Sequence, residues 1–314
     1  MRFAAVGLAL ALSAGAQAQT FPTKTVRFIS GVTPGAASDT MARILAEKMT
    51  HTLGYPVIVE NRLGAGGLVG AKYVALAEPD GHTIMMYASA FTVSTLLSPD
   101  VLNPKELQAV ATVATIPTVM VTPPGKYRTV KDFVAAAKAD PGKLVCTDAG
   151  TGSATHMAFE RFRFAAGFEA LNVHTKGPGE ALTEVISGRA DCYFALVFQA
   201  QKMRDAGKVG ALVVSGPRRT PLMSDLPTTV EAGYPNSDYN FWVGALVSAK
   251  TPRAIVERLH KEITTLVQSP EISDQIRKLG ADPLPMSIAD FEAMIARELV
   301  ENAELIKKAN IKAN

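Results

Sequence analysis

Three segments rich in glycine and small residues have the composition of loops that bind anions. They span residues 31–39, 147–153 and 175–179, and each joins a short apolar run to a segment with helical spacing. At a helix start, free backbone N–H groups and the positive end of the helix dipole favour a negative charge. Glycine lets a ligand approach the backbone closely. One such loop is compatible with an ordinary helix cap, whereas three favour an anion site.

Signatures of enzymes do not hold in this sequence. Beyond the first 18 residues there is no Gly-x-Ser-x-Gly, no phosphate loop of the Walker type and no His-Glu-x-x-His. The motif that starts at Gly64 lacks the third glycine of a dinucleotide-binding loop. Ser153 and His156 lie three positions apart, which suggests a nucleophile and its base, but no third member is evident. We expect no enzyme, no cofactor and no metal site, with His156 as a packed or capping side chain.

Short apolar strands alternate with amphipathic helices through most of the chain. The strands are predicted at residues 26–29, 57–59, 83–87, 144–147, 171–174, 192–196, 211–214 and 241–247. Alternating strands and helices predict an α/β fold, with a parallel sheet covered by helices on both faces. In such sheets ligands bind at the carboxyl ends of the strands, where the three loops lie.

The middle third of the chain is predicted to be an inserted lobe. Proline and glycine clusters at residues 117, 123–125 and 233–235 bracket it, as expected of two linkers. The predicted divisions are residues 1–18 as a signal peptide, 19–122 with 236–314 as lobe I, and 123–235 as lobe II.

The first residues indicate export to the periplasm. A basic start at Arg2 precedes an apolar run over residues 3–12, and Ala16-Gln17-Ala18 is a small-x-small cleavage site. The apolar run is too short to span a bilayer, and no later stretch is long enough. The net charge of +3 argues against a nucleic-acid partner, which would require a basic stripe.

Two cysteines, Cys146 and Cys192, each lie in a predicted strand. In an oxidising compartment they are able to pair, but the sequence does not determine their separation. We expect two buried thiols, with a disulfide as the alternative.

The ordered set of motifs resembles the Bug-type extracytoplasmic receptors of tripartite tricarboxylate transporters. The resemblance covers essentially the whole chain after the signal peptide. It includes the loop and helix start at 33–43, Asn61 within the run 57–67, and Gly150-x-Gly152-Ser153 with His156. The other matching segments are residues 21–29, 79–83, 141–144, 176–177, 181–182, 188–191, 226–228, 231–233 and 242–244.

This resemblance implies a type II periplasmic-binding-protein fold, a Venus flytrap of two lobes around a cleft. It implies a monomer that captures a carboxylate through backbone amides and ordered water, then delivers it to integral membrane transporter subunits. The candidate ligand-binding residues are Pro34, Gly35, Ala36, Asp39, Ser89, Thr147, Gly150, Gly152, Ser153, Thr175, Lys176, Gly177 and Ala195. For Asp39, a role in stabilising the helix dipole is an equal alternative.

Four positions depart from the pattern of these receptors. Ala36 replaces a glycine, Thr175 an aromatic residue, and Ala195-Leu196 a polar Asp-Asn pair. The cleft wall is therefore expected to be wider and more apolar, which favours a longer, dicarboxylic or aromatic carboxylate over citrate. The alternative functions are an exported α/β enzyme such as a hydrolase, and a receptor that reports its ligand to a signalling partner.

Overall fold

The structure is a computed structural model that describes residues 21–239 and 241–312. Strands and helices alternate along it, which confirms the α/β class. The strands are β1 Val26–Ser30, β2 Val57–Asn61, β3 Thr83–Ala88, β4 Leu107–Thr115, β5 Thr118–Thr122, β6 Val145–Asp148, β7 Leu171–His174, β8 Cys192–Leu196, β9 Gly210–Val214, β10 Trp242–Ser248 and β11 Asp282–Pro283. The helices are α1 Ala37–Leu53, α2 Leu68–Leu76, α3 Ala90–Leu97, α4 Val130–Ala139, α5 Ala154–Ala166, α6 Pro178–Ile186, α7 Val197–Asp205, α8 Arg253–Gln268, α9 Pro270–Lys278 and α10 Ile288–Ala309.

The strands form two sheets. Sheet A has the order β11-β4-β10-β3-β1-β2, and sheet B has the order β7-β6-β8-β5-β9. We call each sheet with its helices a lobe, with sheet A in lobe I and sheet B in lobe II. Strand β1 pairs in parallel with β2 and β3, as β6 does with β7 and β8.

The expectation of parallel sheets is wrong for β5, β10 and β11. Strand β10 runs antiparallel to both of its neighbours, and so does β5. The short strand β11 is also antiparallel to β4. Strands β5 and β10 enter their sheets directly from the other lobe, without the crossover helix that parallel neighbours require.

The first crossing between the lobes is short. Strand β4 ends at Thr115 in sheet A, and β5 begins at Thr118 in sheet B. The sequence-based division placed residues 118–122 in lobe I, but their hydrogen bonds put them in sheet B. The proline and glycine at 123–125 form a turn that precedes α4 rather than a linker. The second crossing lies between β9 and β10, which includes the predicted boundary at residue 235.

Helix α10 connects the two lobes. Phe291 and Met294 are buried in the core of lobe I. Further along the helix, Leu305 is buried in the core of lobe II, and Arg161 of α5 donates a hydrogen bond to the side chain of Asn302 at 3.1 Å. The apolar side chains of α10 therefore pack in the cores, and the helix contacts both lobes on one side of the molecule.

Cys146 and Cys192 form a disulfide, which corrects the expectation of two free thiols. They are register partners on β6 and β8, and their Cα atoms lie 4.6 Å apart. A disulfide spans Cα separations of about 4.4–6.8 Å, so neighbouring strands bring these residues within range. The sequence did not reveal this because it does not contain the order of the strands.

The folded chain is anchored from its first described residue. The ring of Phe21 packs on His82 with centroids 4.9 Å apart, and the backbone N–H of Thr23 donates to His82 Nε2 at 3.0 Å. The predicted signal peptide, residues 1–18, lies outside the described residues. Within residues 21–239 and 241–312, no helix combines the length and hydropathy needed to cross a membrane.

Candidate ligand-binding cleft

A cavity of about 620 Å³ lies between the two lobes. Its wall includes the first residues of five helices: α1 and α3 from lobe I, and α5, α6 and α7 from lobe II. Backbone N–H groups of a first helical turn have no partner within the helix, and the dipole adds positive potential there. The helix-start residues that line the cavity are Gly35, Ala36, Ala37, Ser38, Ala90, Ser153, Ala154, Thr155, Pro178, Phe198 and Gln199.

The rest of the cavity wall is mainly apolar. It includes Met41, Ile116, Leu196, Phe241 and Leu279. Among the residues that the structure describes, no acidic side chain lines this cavity. The cavity is therefore suited to an anion with an apolar body.

The loop before α1 is held by Asp39 from behind the cavity wall. The buried carboxylate of Asp39 accepts from the backbone N–H of Gly35 at 2.9 Å, from Arg43 at 2.9 and 3.1 Å, and from Asn61 at 2.7 Å. Burial alone would raise the pKa of Asp39, but these hydrogen bonds together lower it below its ordinary value. Asp39 thus shapes the loop and does not line the cavity.

The backbone of the loop before α5 is held by hydrogen bonds to nearby side chains. Ser153 caps the helix by accepting from the backbone N–H of His156 at 3.2 Å, and Thr155 accepts from the N–H of Ala149 at 2.9 Å. The Nδ1 atom of His156 accepts from the N–H of Gly152 at 3.0 Å. Since this nitrogen is committed to the backbone, His156 and Ser153 do not form the side-chain bond that a nucleophile and base require.

Asp148, His156 and His174 lie close enough to be considered as metal ligands, with donor atoms within 4.8 Å of one another. Burial lowers the pKa of His156 to about 4, so its ring is neutral at pH 7. Because Nδ1 accepts a hydrogen bond, Nε2 carries the proton and has no lone pair for a metal. Asp148 instead accepts from the N–H of Gly150 at 2.7 Å, and its other oxygen lies 2.8 Å from both Asn172 Nδ2 and His174 Nδ1. This cluster holds the loop in place.

The structure brings three of the predicted residues into the cavity wall: Gly35, Ala36 and Ser153. Asp39, Ser89, Thr147 and Ala195 are buried behind the wall. The remaining predicted residues flank the cavity without lining it; they are Pro34, Gly150, Gly152, Thr175, Lys176 and Gly177.

The residues behind and beside the wall have identifiable structural partners. The hydroxyl of Thr175 donates to the carbonyl of Asp148 at 2.7 Å, and that of Thr147 donates to the carbonyl of Val173 at 2.9 Å. Ser89 Oγ lies 3.0 Å from the hydroxyl of Tyr239. These hydroxyls position the loops around the cavity.

Alternation along β8 separates the two residues that replace the polar pair. Ala195 points into the core of lobe II, whereas Leu196 lines the cavity. Lining residues that the sequence did not suggest include Phe198, Gln199, Phe241 and Lys278. Helix α7 was not predicted, so its start went unrecognised.

A second cavity, of about 720 Å³, lies between α5 and α10 on the side where α10 connects the lobes. Its wall mixes cations such as Arg161 and Arg297 with acids such as Glu298 and Glu301. In the described chain its helical lining residues lie within α5 and α10, beyond their first turns. Although this cavity is larger, it lacks the converging helix starts of the cleft.

Two α/β lobes with a cleft walled by helix starts define a solute-binding protein of the periplasmic type. The sequence pattern of the tripartite tricarboxylate transporter family receptor matches residues 41–311, and the chain belongs to this family.

Relatives of known sequence match nearly the whole chain. A UPF0065 protein encoded between tcbD and tcbE in Pseudomonas sp. strain P51 is 32% identical over 296 residues, covering 91% of this chain and 88% of that protein. The protein BugT of Bordetella pertussis is 27% identical over 317 residues, covering 98% and 97%.

Solved structures have the same fold. The R. palustris protein Rpa4515, solved with adipate, is 25% identical with a TM-score of 0.80, covering 93% of this chain and 99% of that one. The periplasmic binding protein BugD is 28% identical with a TM-score of 0.76, covering 93% and 99%. MatC of Rhodopseudomonas palustris, solved with malate, is 26% identical with a TM-score of 0.76, covering 91% and 100%.

Proposed function

We propose that this protein is an exported receptor that captures a carboxylate with an apolar body and delivers it to a membrane transporter of the tripartite tricarboxylate type. One observation carries the proposal: five helix starts line a cavity whose remaining wall is mainly apolar. A carboxylate satisfies the free N–H groups and the dipoles, and the cleft between lobes allows closure around it.

The similar proteins support the ligand class. Adipate and malate, the molecules solved with two of them, are both carboxylates. For this chain the wall favours the more apolar of such ligands. Burial of a methylene chain or ring favours binding by roughly 25 cal/mol per Å² of apolar surface. A buried hydroxyl without a hydrogen-bond partner instead costs about 1–3 kcal/mol. Adipate- or benzoate-like acids should therefore bind more tightly than malate or citrate.

The hydrogen bonds in the site support delivery of a ligand rather than catalysis. The Ser153 hydroxyl contacts the backbone N–H of His156 and the hydroxyl of Thr155, and Nδ1 of His156 accepts from the N–H of Gly152. None of these contacts pairs the Ser153 hydroxyl with a base. The family's name associates the receptor with a transporter. The proposed partners are integral membrane subunits that accept the ligand from the closed receptor.

A binding screen, together with a variant that adds a negative charge to the cavity wall, tests the proposal. We expect adipate and benzoate to raise the stability of the protein more than malate and citrate do, because the first two should bind more tightly. A ligand at 100 times its Kd should stabilise by about 2.7 kcal/mol. Stabilisation by neutral sugars or cations, and by none of these acids, would contradict the proposal.

The variant is Ala36→Asp. Ala36 is the N-cap of α1 and lines the cavity, so aspartate there should cap the helix well while repelling an anion. Ala254→Asp is the matched control, because it adds the same charge to the exposed first turn of α8. We expect the first variant to fold and lose carboxylate binding, and the control to bind as the parent does.

A further inference from the structure

We infer that Lys278 and Gln199 bind a second acidic group of the ligand, so that the preferred ligand is a dicarboxylate with an apolar spacer. This inference rests on the proposed function and specifies the ligand class for the same cleft. It places one carboxylate at the helix starts of α1 and α5, and the other between α7 and α9.

Lys278 is the one charged side chain that lines the cleft among the described residues. It is exposed, and within the described chain its ammonium group has no ion-pair or hydrogen-bond partner. A lysine in the last turn of a helix also stabilises the helix dipole. The neighbouring Arg277 already provides a cation in that turn and pairs with Asp274 at 3.2 Å. Unlike Arg277, Lys278 thus has no acidic partner among the described residues.

The end of α9 meets the start of α7 across the cleft. A Cβ atom placed on Gly280 would lie only 2.9 Å from Cβ of Phe198, so the two lobes are in direct contact here. Beside this contact, Phe198 is 41% exposed and Leu279 is 38% exposed. Both side chains line the cleft with Lys278. This edge of the cleft thus combines apolar surface with an unpaired cation.

Gln199 provides an independent indication that this edge of the cleft binds a polar group. It lines the same cavity, and its Oε1 atom is buried without a hydrogen-bond partner in the described chain. Buried polar atoms are seldom left unpaired. Rotation of the terminal amide by 180° exchanges its oxygen and nitrogen, so this group is able to donate to an oxygen of the ligand. It lies in the first turn of α7, where the dipole also favours an anion.

The two acidic groups of the ligand would be joined by an apolar body. Met41, Ile116, Leu196 and Phe241 provide the apolar wall of the cavity. A methylene chain or an aromatic ring suits such a wall, because neither needs a hydrogen-bond partner. The ligand class is thus a linear α,ω-dicarboxylate or an aromatic dicarboxylate.

Calorimetric titration of the mature protein with matched acids tests the inference. The pairs are hexanoate against adipate, octanoate against octanedioate, and benzoate against terephthalate. In each pair that fits, the dicarboxylate should bind about tenfold more tightly or better, the gain expected of one charge-assisted hydrogen bond. Equal affinity within every pair would overturn the inference. If no acid of either kind binds, the proposed function itself fails.

Substitutions distinguish the residues that bind the second acidic group from those that bind the first. Lys278→Met should weaken dicarboxylate binding about tenfold and leave monocarboxylate binding within about twofold. Gln199→Leu should have the same selective effect. Arg277→Met is the control, being the adjacent cation on the same helix, and should change neither. A Lys278→Met variant that weakens both kinds of acid equally would overturn the inference, because Lys278 would then serve the first carboxylate.

Discussion

Glu298 is a buried carboxyl group where α10 packs on β10 and α3. The Nε1–H of Trp242 lies 3.0 Å from both carboxyl oxygens, and Thr92 is 3.4 Å from one of them. Arg161 of α5 and Glu301 of the same helix are the charged groups nearby. Burial raises the pKa of Glu298 to about 7, a rise that the hydrogen bond from Trp242 only partly offsets. The folded protein therefore holds this proton to a higher pH than the unfolded chain does.

This raised pKa predicts a loss of stability as the pH rises. At a pH below 4.5 Glu298 is protonated in both states, so its contribution is fully present there. Between pH 4.5 and about 7 the unfolded chain loses the proton first, and stability should fall by on the order of 3 kcal/mol. Glu298→Gln should remove this part of the pH dependence. Denaturation of both proteins at pH 4.5 and pH 8 measures it. Glu304→Gln is the control, because Glu304 is an exposed carboxylate on the same helix. Parallel profiles for Glu298→Gln and the parent would refute the prediction.

At the scale of elements, the contact between α7 and the turn after α9 should control closure of the cleft. Gly280 has a φ of +74°, and a side chain there would meet Phe198 of the other lobe. Gly207 follows α7 with a φ of +67°, but no atom lies within 4 Å of the position of its Cβ. The two glycines thus share a left-handed backbone and differ in the contact across the cleft.

Replacing each glycine with alanine distinguishes the effect of backbone strain from the effect of the contact between the lobes. We expect each substitution to cost about 1 kcal/mol of stability from strain alone. Gly280→Ala should in addition weaken carboxylate binding about tenfold or more, because it keeps the lobes apart. Titration calorimetry on both variants provides the comparison. If Gly207→Ala weakened binding as much, closure at Gly280 would not be the cause.

At the scale of the whole molecule, export should leave the fold intact. The predicted cleavage after Ala18 precedes Phe21, whose ring packs on His82. A chain that begins near Gln19 therefore keeps this contact, and we expect it to bind ligand without residues 1–18. Intact mass of protein taken from the periplasm measures the start of the chain. A species that retains Met1 would contradict export through a cleaved signal peptide.

Local signals were enough to determine the class of fold and two of the loops that line the cleft. Alternating apolar runs marked most strands, and Thr129 with Asp132 forms a capping box at the start of α4. Such signals depend on neighbours a few positions apart, which a sequence displays directly. For the same reason Gly35 and Ser153 were recognised at helix starts, and both line the cavity.

Tertiary structure decided which side chains face one another. Ala195 and Leu196 are adjacent in sequence, but only Leu196 lines the cleft, because strand β8 alternates between core and cavity. Cys146 and Cys192 pair because β6 and β8 are neighbours in sheet B. Lys278 lines the cleft because the end of α9 meets α7 across the lobes. These relations join residues far apart in the chain, and they depend on strand order and lobe closure, which no local pattern encodes.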